Sequence, residues 1–418
     1  MKFFSSIFLS CLICCLCGVL SAQEPTMQVV NVRTVPHWPW DGTVDVYYQV
    51  ECDEEDADLV VSFTGYNGDK DESVVMNPAY ITGDGFEEDK PVVTGKELHA
   101  VWNAEDDLPG YHCEDFAVIV TASYDDGENT YLVVDISGGS SATSYPYRYT
   151  SEAPDTTSDT CRTTELWLRK IPAGTFTMGA GSKGGTTVSM TLTQDFYIGV
   201  FECTQAQYQN IMGSNPSAYT SNTRPVEQVS YKTIRGTSSS AGAGWPTYGH
   251  TVDSSSFMGK LQAKTGLTFD LPTEAQWEYA CRKRADGSCW ETDFNSGKNL
   301  TDDSTCSNMA EVGRYSGNTS EGKGGSTSHL KVGSYLPSEL GLYDMHGNVW
   351  EWCLDWYGTP PTTAQTDYTG PSSGSYRVIR GGSWYDSARG CRAASRSYYL
   401  PSSSLCYHGF RVACVPAP

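Results

Sequence analysis

Short runs of alternating apolar and polar residues fill the chain between residues 23 and 149, and they constrain the fold more than any other feature. Four of these runs read TVDVYYQVEC, DLVVSFTGYN, FAVIVTASY and TYLVVDIS, with Asp-Gly, Asn-Gly and Gly-Asp pairs punctuating the segment. A period of two bounded by such turns is typical of antiparallel strands. About seven short strands predict a small all-β sandwich of immunoglobulin-like type. No residue cluster in it suggests catalysis, and we interpret it as a spacer or adhesion module.

The same region carries the excess negative charge of the chain. Residues 23–160 contain 29 of the 50 Asp and Glu residues but only 5 of the 28 Lys and Arg residues, so the rest is nearly neutral. An acidic surface repels phosphate backbones, which argues against nucleic-acid binding. The clusters CDEEDAD and GFEEDK do not have the spacing of a calcium loop, and we interpret them as solvated surface.

The first 22 residues are typical of a secretory signal peptide. Lys2 precedes the apolar run FFSSIFLSCLICCLCGVL, and small residues up to Ala22 form a cleavage site. Serines interrupt the run and no second long apolar run follows, so we predict no membrane span after signal cleavage. The sequence therefore predicts an exported protein, at the periplasm, the cell surface or outside the cell.

Cysteine usage agrees with export. Four of the fifteen cysteines lie in the signal, and the eleven that remain are expected to pair mostly as disulfides. Cys52 and Cys113 are a natural pair within the first domain. Because eleven is odd, at least one thiol stays free or pairs between chains.

Residues 150–163, which include the polar stretch TSEAPDTTSDT at 150–160, are predicted to form a linker to a second domain at 164–418. In that domain Thr204 and Thr273 have a Gln three residues later, which is the pattern of a helix N-terminus. Gly213 and Gly266 are predicted helix stops. Gly, Ser, Asn and aromatic residues dominate elsewhere, which favours an α+β fold with about three helices, short strands and long ordered loops.

Six motifs occur in order across the second domain, namely IPAGTFTMG, RPVEQVSY, LPTEAQWEYACR, GLYDMHGNVWEWCLDWYG, RVIRGGSW and GFRVA. Together they resemble the formylglycine-generating-enzyme (sulfatase-modifying factor) domain family, a variant of the C-type lectin fold. The resemblance covers about residues 164–415 and leaves the β-rich domain outside. It implies a C-type-lectin-like architecture with little regular structure.

The segment DMHGNVWEW implies a calcium site. Carboxylates and loop carbonyls are the oxygen ligands that calcium prefers, and in the family this segment binds calcium. The matching donors are the side chains of Asp344 and Glu351 and the carbonyls of Gly347 and Val349. A second family site would begin near Asn308. The alternative is that Asp344 caps a turn and Glu351 pairs with an arginine.

The resemblance also implies oxidase chemistry at copper(I) held by two thiolates, which are soft ligands suited to that ion. The first family cysteine lies three residues after the Ser of GGS, where this chain has Asp386 after Ser383. A shorter loop removes the second position, and Cys391 aligns with neither. Copper is therefore not expected, no catalytic residue is assigned although Ser383 is retained, and Cys391 is expected to bridge to Cys353, Cys406 or Cys414.

The span between RGGSW and GFRV is the variable region of diversity-generating ligand binders in this superfamily. Tyr, Trp, Asp and Arg are the residues of an adaptable binding surface, and the candidate contacts here are Trp384, Tyr385, Asp386, Arg396, Tyr398 and Tyr399. Arg392 and Arg396 align with an arginine ladder that either clamps loops or contacts a ligand.

Three functions remain open from the sequence. We expect a calcium-stabilised scaffold without oxidase activity, which binds a protein, peptide or glycan through the C-terminal loop face. The alternative is a divergent formylglycine-generating oxidase that converts a sulfatase cysteine to formylglycine. An ordinary variable loop is the third interpretation.

Overall fold

The computed structural model describes residues 27–36, 42–52, 59–67, 72–76, 80–86, 92–108, 116–124, 130–182, 186–236, 252–319 and 328–415. The predicted signal peptide and Cys113 lie outside these residues. The chain divides into two compact units, Met1–Asn129 and Thr130–Pro418. In the described part of the chain, no helix has the length and apolar character needed to cross a membrane.

The described residues of the first unit form antiparallel strands and one short helix. Its elements are β1 (Met27–Pro36), β2 (Thr43–Cys52), β3 (Leu59–Asn67), β4 (Glu72–Val75), β5 (Ile81–Gly83), β6 (Glu97–Asn103), α1 (Ala104–Asp107) and β7 (Phe116–Tyr124). One sheet has the strand order β1-β2-β6-β5 and the other has the order β4-β3-β7.

Alternation along β2 explains how the first unit builds its core. Val46, Tyr48 and Val50 are fully buried while the residues between them are half-buried, as the period of two requires. They pack in one hydrophobic cluster with Val61 and Phe63 of the second sheet. The two sheets therefore enclose a shared apolar core.

The second unit mixes several small sheets with a few short helices. Its strands are β8 (Tyr131–Asp135), β9 (Tyr147–Thr150), β10 (Glu165–Ile171), β11 (Gly174–Met178), β12 (Val188–Leu192), β13 (Phe196–Gly199), β14 (Thr268–Asp270), β15 (Trp350–Trp356), β16 (Gln365–Thr366), β17 (Arg377–Arg380), β18 (Arg396–Tyr399), β19 (His408–Gly409) and β20 (Ala413–Val415). Its helices are α2 (Thr160–Thr163), α3 (Gln205–Met212), α4 (Tyr231–Arg235), α5 (Phe257–Thr265), α6 (Glu274–Arg282) and α7 (Ser307–Val312), with a 3-10 turn at Ser316–Asn318.

Three sheets organise the second unit. A six-stranded sheet has the order β14-β20-β13-β10-β8-β9, a four-stranded sheet has the order β18-β17-β15-β19, and a three-stranded sheet has the order β11-β12-β16. Helix α6 packs between these sheets, because its buried Trp277 and Ala280 share a hydrophobic cluster with Met178, Val378 and Cys353. The four-stranded sheet carries several of the candidate binding residues on its edge strand β18.

The boundary between the units differs from the predicted one. The alternation of TYLVVDIS places it in the first domain, but this segment forms β8, which pairs antiparallel with β10 in the second unit, with Leu132 opposite Leu168. The division therefore lies after Asn129 instead of residue 149. A run of alternating residues identifies a strand but not its partner, so the sequence could not place β8.

The predicted linker also contains structure, because α2 buries Arg162, whose Nε donates to the Val332 carbonyl (3.1 Å).

The helix signals are confirmed. Thr204 and Thr273 each form a capping box with the Gln three residues later, at the starts of α3 and α6. Gly213 and Gly266 end α3 and α5 in the left-handed conformation. These signals act within a few residues, so they can be identified without knowledge of the tertiary fold.

The expected disulfides are not present among the described residues, where all ten cysteines are free thiols. The prediction that Cys391 bridges to Cys353, Cys406 or Cys414 is wrong in this structure. Cys391 is buried in a separate cluster with Phe294 and Met309, whereas Cys353 and Cys414 belong to two other clusters.

Gly382 is required by both backbone conformation and space. Its φ is 78°, and a Cβ built on it would lie 2.5 Å from the Sγ of Cys391. We predict that Gly382→Ala lowers the free energy of unfolding by roughly 2–4 kcal/mol, from left-handed strain and from overpacking. Gly287 is the matched control, since its φ is 84° with no atom within 4 Å of a built Cβ. Urea unfolding of the second unit should show a loss of only about 1 kcal/mol for Gly287→Ala. Equal losses for the two variants would contradict the role of the Cys391 contact.

Candidate functional site

The Gly-Gly-Ser turn after β17 places its side chains by hydrogen bonds. Ser383 is fully buried, and its hydroxyl donates to Oδ2 of Asp386. The same Oδ2 accepts from Nε1 of Trp350 at 2.8 Å. Burial raises the pKa of Asp386. The Asp386 carboxylate therefore stabilises the turn.

The neighbouring thiol lies in the interior of the second unit. Cys391 is fully buried, and burial raises the pKa of its thiol well above the usual value. The thiolate is the form that binds metal, and the expectation that this chain does not bind copper(I) stays a prediction. Its backbone carbonyl accepts from Nδ1 of the buried His346 (2.8 Å), which gives this segment a structural role.

The predicted calcium donors Asp344 and Glu351 are both buried. Oδ2 of Asp344 accepts from the Gly333 amide (2.7 Å), and burial raises the pKa of this carboxyl to about 6. Glu351 forms a bidentate ion pair with Arg411 (2.6 and 2.7 Å), and Trp277 Nε1 also donates to its Oε2 (2.7 Å). The arginine pairing left open by the sequence is thus the one that the structure contains.

A third carboxylate, Glu202, joins this cluster and was not found from the sequence. It is fully buried and accepts from the Val349 amide (3.0 Å) and from Nδ2 of Asn348 (2.6 Å). Burial, and then the charges of Asp344 and Glu351, raise its pKa well above the usual value. In the sequence, Glu202 lies in the mostly apolar segment GVFEC, two residues before Thr204, the N-cap of α3. An acidic residue in an apolar segment was the available signal.

Carboxylate oxygens are ligands suited to a hard cation, and three buried carboxylates, Glu202, Asp344 and Glu351, interact electrostatically with Arg411 and, at Asp344, also with Arg162. In the described ranges, however, no three His, Cys, Asp or Glu side chains are arranged so that they could hold a metal ion. Asn308 lies on α7, where its amide donates to the Asn299 carbonyl (2.8 Å). The calcium sites therefore stay a prediction.

Five neighbouring aromatic side chains form a row that we call the aromatic patch, in which Tyr219 and Tyr385 are exposed and the others are partly or fully buried, namely Tyr219, Trp384, Tyr385, Tyr399 and Tyr407. Ring centroids are 5.9 Å apart for Tyr219 and Trp384, 5.5 Å for Trp384 and Tyr385, and 5.9 Å for Tyr385 and Tyr407. The hydroxyls of Tyr399 and Tyr407 are 3.4 Å apart. Tyr385 is 68% exposed, whereas Trp384 is buried beneath it.

The structure separates the predicted contacts into two groups. Tyr399 belongs to the aromatic patch, whereas Arg396 and Tyr398, on the same strand β18, contact residues outside the patch. Tyr398 packs against Tyr357 (4.3 Å) and Tyr376 (4.9 Å). Adjacent residues of a strand point to opposite faces, which explains why Tyr398 and Tyr399 separate. Arg396 and Tyr398 therefore have partners other than Trp384 and Tyr385, and a role of these residues in ligand binding stays a prediction.

Arg396 has a structural partner. Its guanidinium forms a bidentate ion pair with Glu274 at the start of α6 (both 2.6 Å), and Nη1 donates to the Gly358 carbonyl (3.0 Å). On the neighbouring strand β17, Arg380 forms an ion pair with Glu278 of the same helix. These two arginines thus clamp β17 and β18 to α6.

Comparison with known proteins agrees with the motifs. The family described as "Sulfatase-modifying factor enzyme 1-like domain" matches residues 152–415, and the chain belongs to this family. The chaperone protein LppX of Paenibacillus barcinonensis is 30% identical over 236 residues, covering 52% of this chain and 78% of that protein. The formylglycine-generating enzyme of Mus musculus is 28% identical over 317 residues, covering 67% and 83%. The solved structure of Treponema denticola variable protein 1 is 27% identical, with a TM-score of 0.47 over 60% of this chain and 96% of that one.

Asp355, next to the ion pair of Glu274, predicts a pH dependence of stability. Its Oδ2 accepts from the Glu274 amide (2.8 Å), and burial followed by the charge of Glu274 raises its pKa to about 7. A raised folded-state pKa favours the folded protein at low pH, and this contribution is lost as the pH rises through 7. Between pH 6 and pH 8, the free energy of unfolding of wild type should fall by about 1 kcal/mol relative to that of the Asp355→Asn variant.

Urea unfolding of both proteins at several pH values measures this difference. Because every other titrating group is shared, the comparison isolates the Asp355 carboxyl. Parallel pH profiles for wild type and the Asp355→Asn variant would contradict the raised pKa.

Proposed function

We propose that the second unit binds a polypeptide ligand through the aromatic patch and has no cysteine-oxidase activity. The observation that carries this proposal is the position of Tyr385, which is 68% exposed beside Asp386, where the family places a copper thiolate. At the position where the family has its reactive thiolate, this chain thus has Asp386, whose carboxylate stabilises the turn that carries the exposed Tyr385.

The patch is held in place before a ligand arrives. The amide of Trp384 donates to the Asn348 carbonyl (2.9 Å), and its Nε1 donates to the Cys406 carbonyl (3.4 Å). The Tyr219 amide donates to the buried Glu227 (2.8 Å). Rigid aromatic side chains offer a large contact area at a small cost in conformational entropy.

A polypeptide is favoured over a glycan by the similarity to LppX. That relative is named a chaperone protein, and this chain covers 78% of it. Tyrosine and tryptophan are also the residues that contribute most to protein–protein binding energy. We further propose that the protein acts after export, as the signal-like start of the sequence predicts, with the acidic first unit as a spacer.

The alternative is a divergent oxidase, in keeping with relatives named formylglycine-generating enzymes. Two features speak against it. Asp386 replaces one copper ligand and is engaged by Ser383 and Trp350. Cys391, the thiol beside the turn, is buried with a raised pKa.

A phage-displayed library of random dodecapeptides tests the binding proposal. We expect enriched peptides to lose affinity about tenfold or more with Tyr385→Ala, since exposed aromatic anchors dominate such interfaces. Tyr398→Ala is the matched control, because Tyr398 is 44% exposed but lies outside the patch, and it should change affinity less than about twofold. Affinities measured by biolayer interferometry provide the comparison.

Three results would overturn the proposal. If no peptide binds above background while an array of glycans does, the ligand class is wrong. Equal losses for the two tyrosine variants would place the binding surface elsewhere. Conversion of a sulfatase-type cysteine peptide to formylglycine in the presence of copper and oxygen would establish the oxidase instead.

We also propose that calcium binds the donors expected from the sequence, which are the side chains of Asp344 and Glu351 and the carbonyls of Gly347 and Val349, and stabilises the second unit. A bound cation would offset the excess negative charge that burial makes costly. Millimolar calcium should raise the Tm of chelator-treated wild type by several degrees, because binding to the folded state alone stabilises it. Asp344→Asn should abolish the shift, whereas Asp286→Asn, at an exposed carboxylate, should retain it. An unchanged Tm of wild type in calcium would contradict the proposal.

A further inference from the structure

A cleft of about 200 Å³ opens on the second unit beside α6. Its wall combines apolar side chains, including Met178, Val188 and Pro360, with the charged side chains of Glu274, Arg392 and Arg396. The volume corresponds to roughly seven molecules of liquid water, which is enough for a small organic ligand with one ring. None of the five side chains of the aromatic patch lines this cleft, so it is separate from the proposed polypeptide-binding surface.

Most charges in the cleft wall are already neutralised. Glu274 and Arg396 form their bidentate pair, and Glu278 accepts from the Gly179 amide (2.7 Å), from Arg282 (2.7 Å) and from Arg380. Buried charges with good partners add little net potential. The two glutamates are therefore not positioned to bind a cation in the cleft.

Arg392 is also paired with a carboxylate, but at a distance longer than a hydrogen bond, so its terminal N–H groups are less engaged. Its Nε donates to the Arg389 carbonyl (3.0 Å), but its carboxylate partner, Oδ1 of Asp293, lies 3.6 Å from Nη1. Asp293 is already engaged by Ser182 and by the Leu300 amide (2.9 Å). The Arg392 side chain is only 15% exposed, so its charge acts where water is scarce.

A guanidinium with terminal N–H groups to spare recognises a carboxylate through two parallel hydrogen bonds. The apolar part of the wall suits a ring or a short hydrocarbon chain. We propose that this cleft binds a small monocarboxylate, with the carboxylate on Arg392 and an apolar body against Met178, Val188 and Pro360. This is a second ligand site, distinct from the aromatic patch.

Isothermal titration calorimetry of the full chain with 4-hydroxyphenylacetate tests the proposal, with the neutral 4-hydroxyphenylacetamide as the matched ligand. We expect the acid to bind wild type at least about tenfold more tightly than the amide, because the charge-assisted contact is lost in the amide. Arg392→Gln should weaken the binding of the acid by about tenfold or more and leave the affinity for the amide unchanged. Arg392→Lys should retain part of the affinity, because it keeps the charge without the fork.

Arg389→Gln is the control variant, since Arg389 carries the same charge three residues away, is 58% exposed and lies outside the cleft wall. Its affinity for the acid should equal that of wild type. Because Arg392 pairs with the buried Asp293, the Arg392 variants are expected to lose some stability, and their retained binding of the amide shows that they are folded. The proposal is overturned if acid and amide bind equally, if Arg389→Gln has the same effect as Arg392→Gln, or if the acid does not bind at millimolar concentration. Retained binding of the acid to Tyr385→Ala would show that the cleft and the aromatic patch are separate sites.

Discussion

The ion pair of Glu351 and Arg411 is the interaction on which the second unit depends. Both side chains are fully buried, and Arg411 also donates to the carbonyls of Gly199 (2.8 Å) and Tyr343 (2.9 Å). Trp277 adds a hydrogen bond from α6 to the same glutamate. The guanidinium of Arg411 thus connects the C-terminal segment to β15, to β13 and to the loop of Tyr343. Such a connection is needed because a fold with little regular structure has few long elements that could hold these segments together. Removing either charge would leave the other buried without a partner, which is costly.

The arginines of β17 and β18 extend this arrangement to the surface. Arg380 and Arg396 pair with Glu278 and Glu274, two acids one turn apart on α6. The helix therefore fixes the edge strand that separates the aromatic patch from the charged cleft. Arg380 and Arg396 are satisfied by these ion pairs within the scaffold. Variation of Tyr385 or Arg392, the contacts proposed for the two ligands, would therefore leave both ion pairs in place.

Local signals in the sequence were sufficient for some elements and insufficient for others. The caps at Thr204 and Thr273 depend on neighbours three residues away, so they could be predicted. The partner of β8 could not, because strand pairing depends on β10, more than thirty residues later in the chain. Glu202 and Tyr219 join the sites from distant segments and carry no motif of their own. The two sides of β18, in contrast, follow from the period of two once the strand is known.

Under the proposed function, Asp386 stands where the family places a thiolate, and this gives the turn a different physical basis. A thiolate pair is held by a metal, whereas the Asp386 carboxylate is held by Ser383 and Trp350 within the protein itself. Gly381 and Gly382 supply the left-handed backbone that this turn needs, and Cys391 fills the space beneath it. A turn that is rigid without metal can present Tyr385 outward in one orientation. The loss of oxidase chemistry and the gain of a preorganised binding surface are therefore, under the proposed function, two consequences of the same substitution.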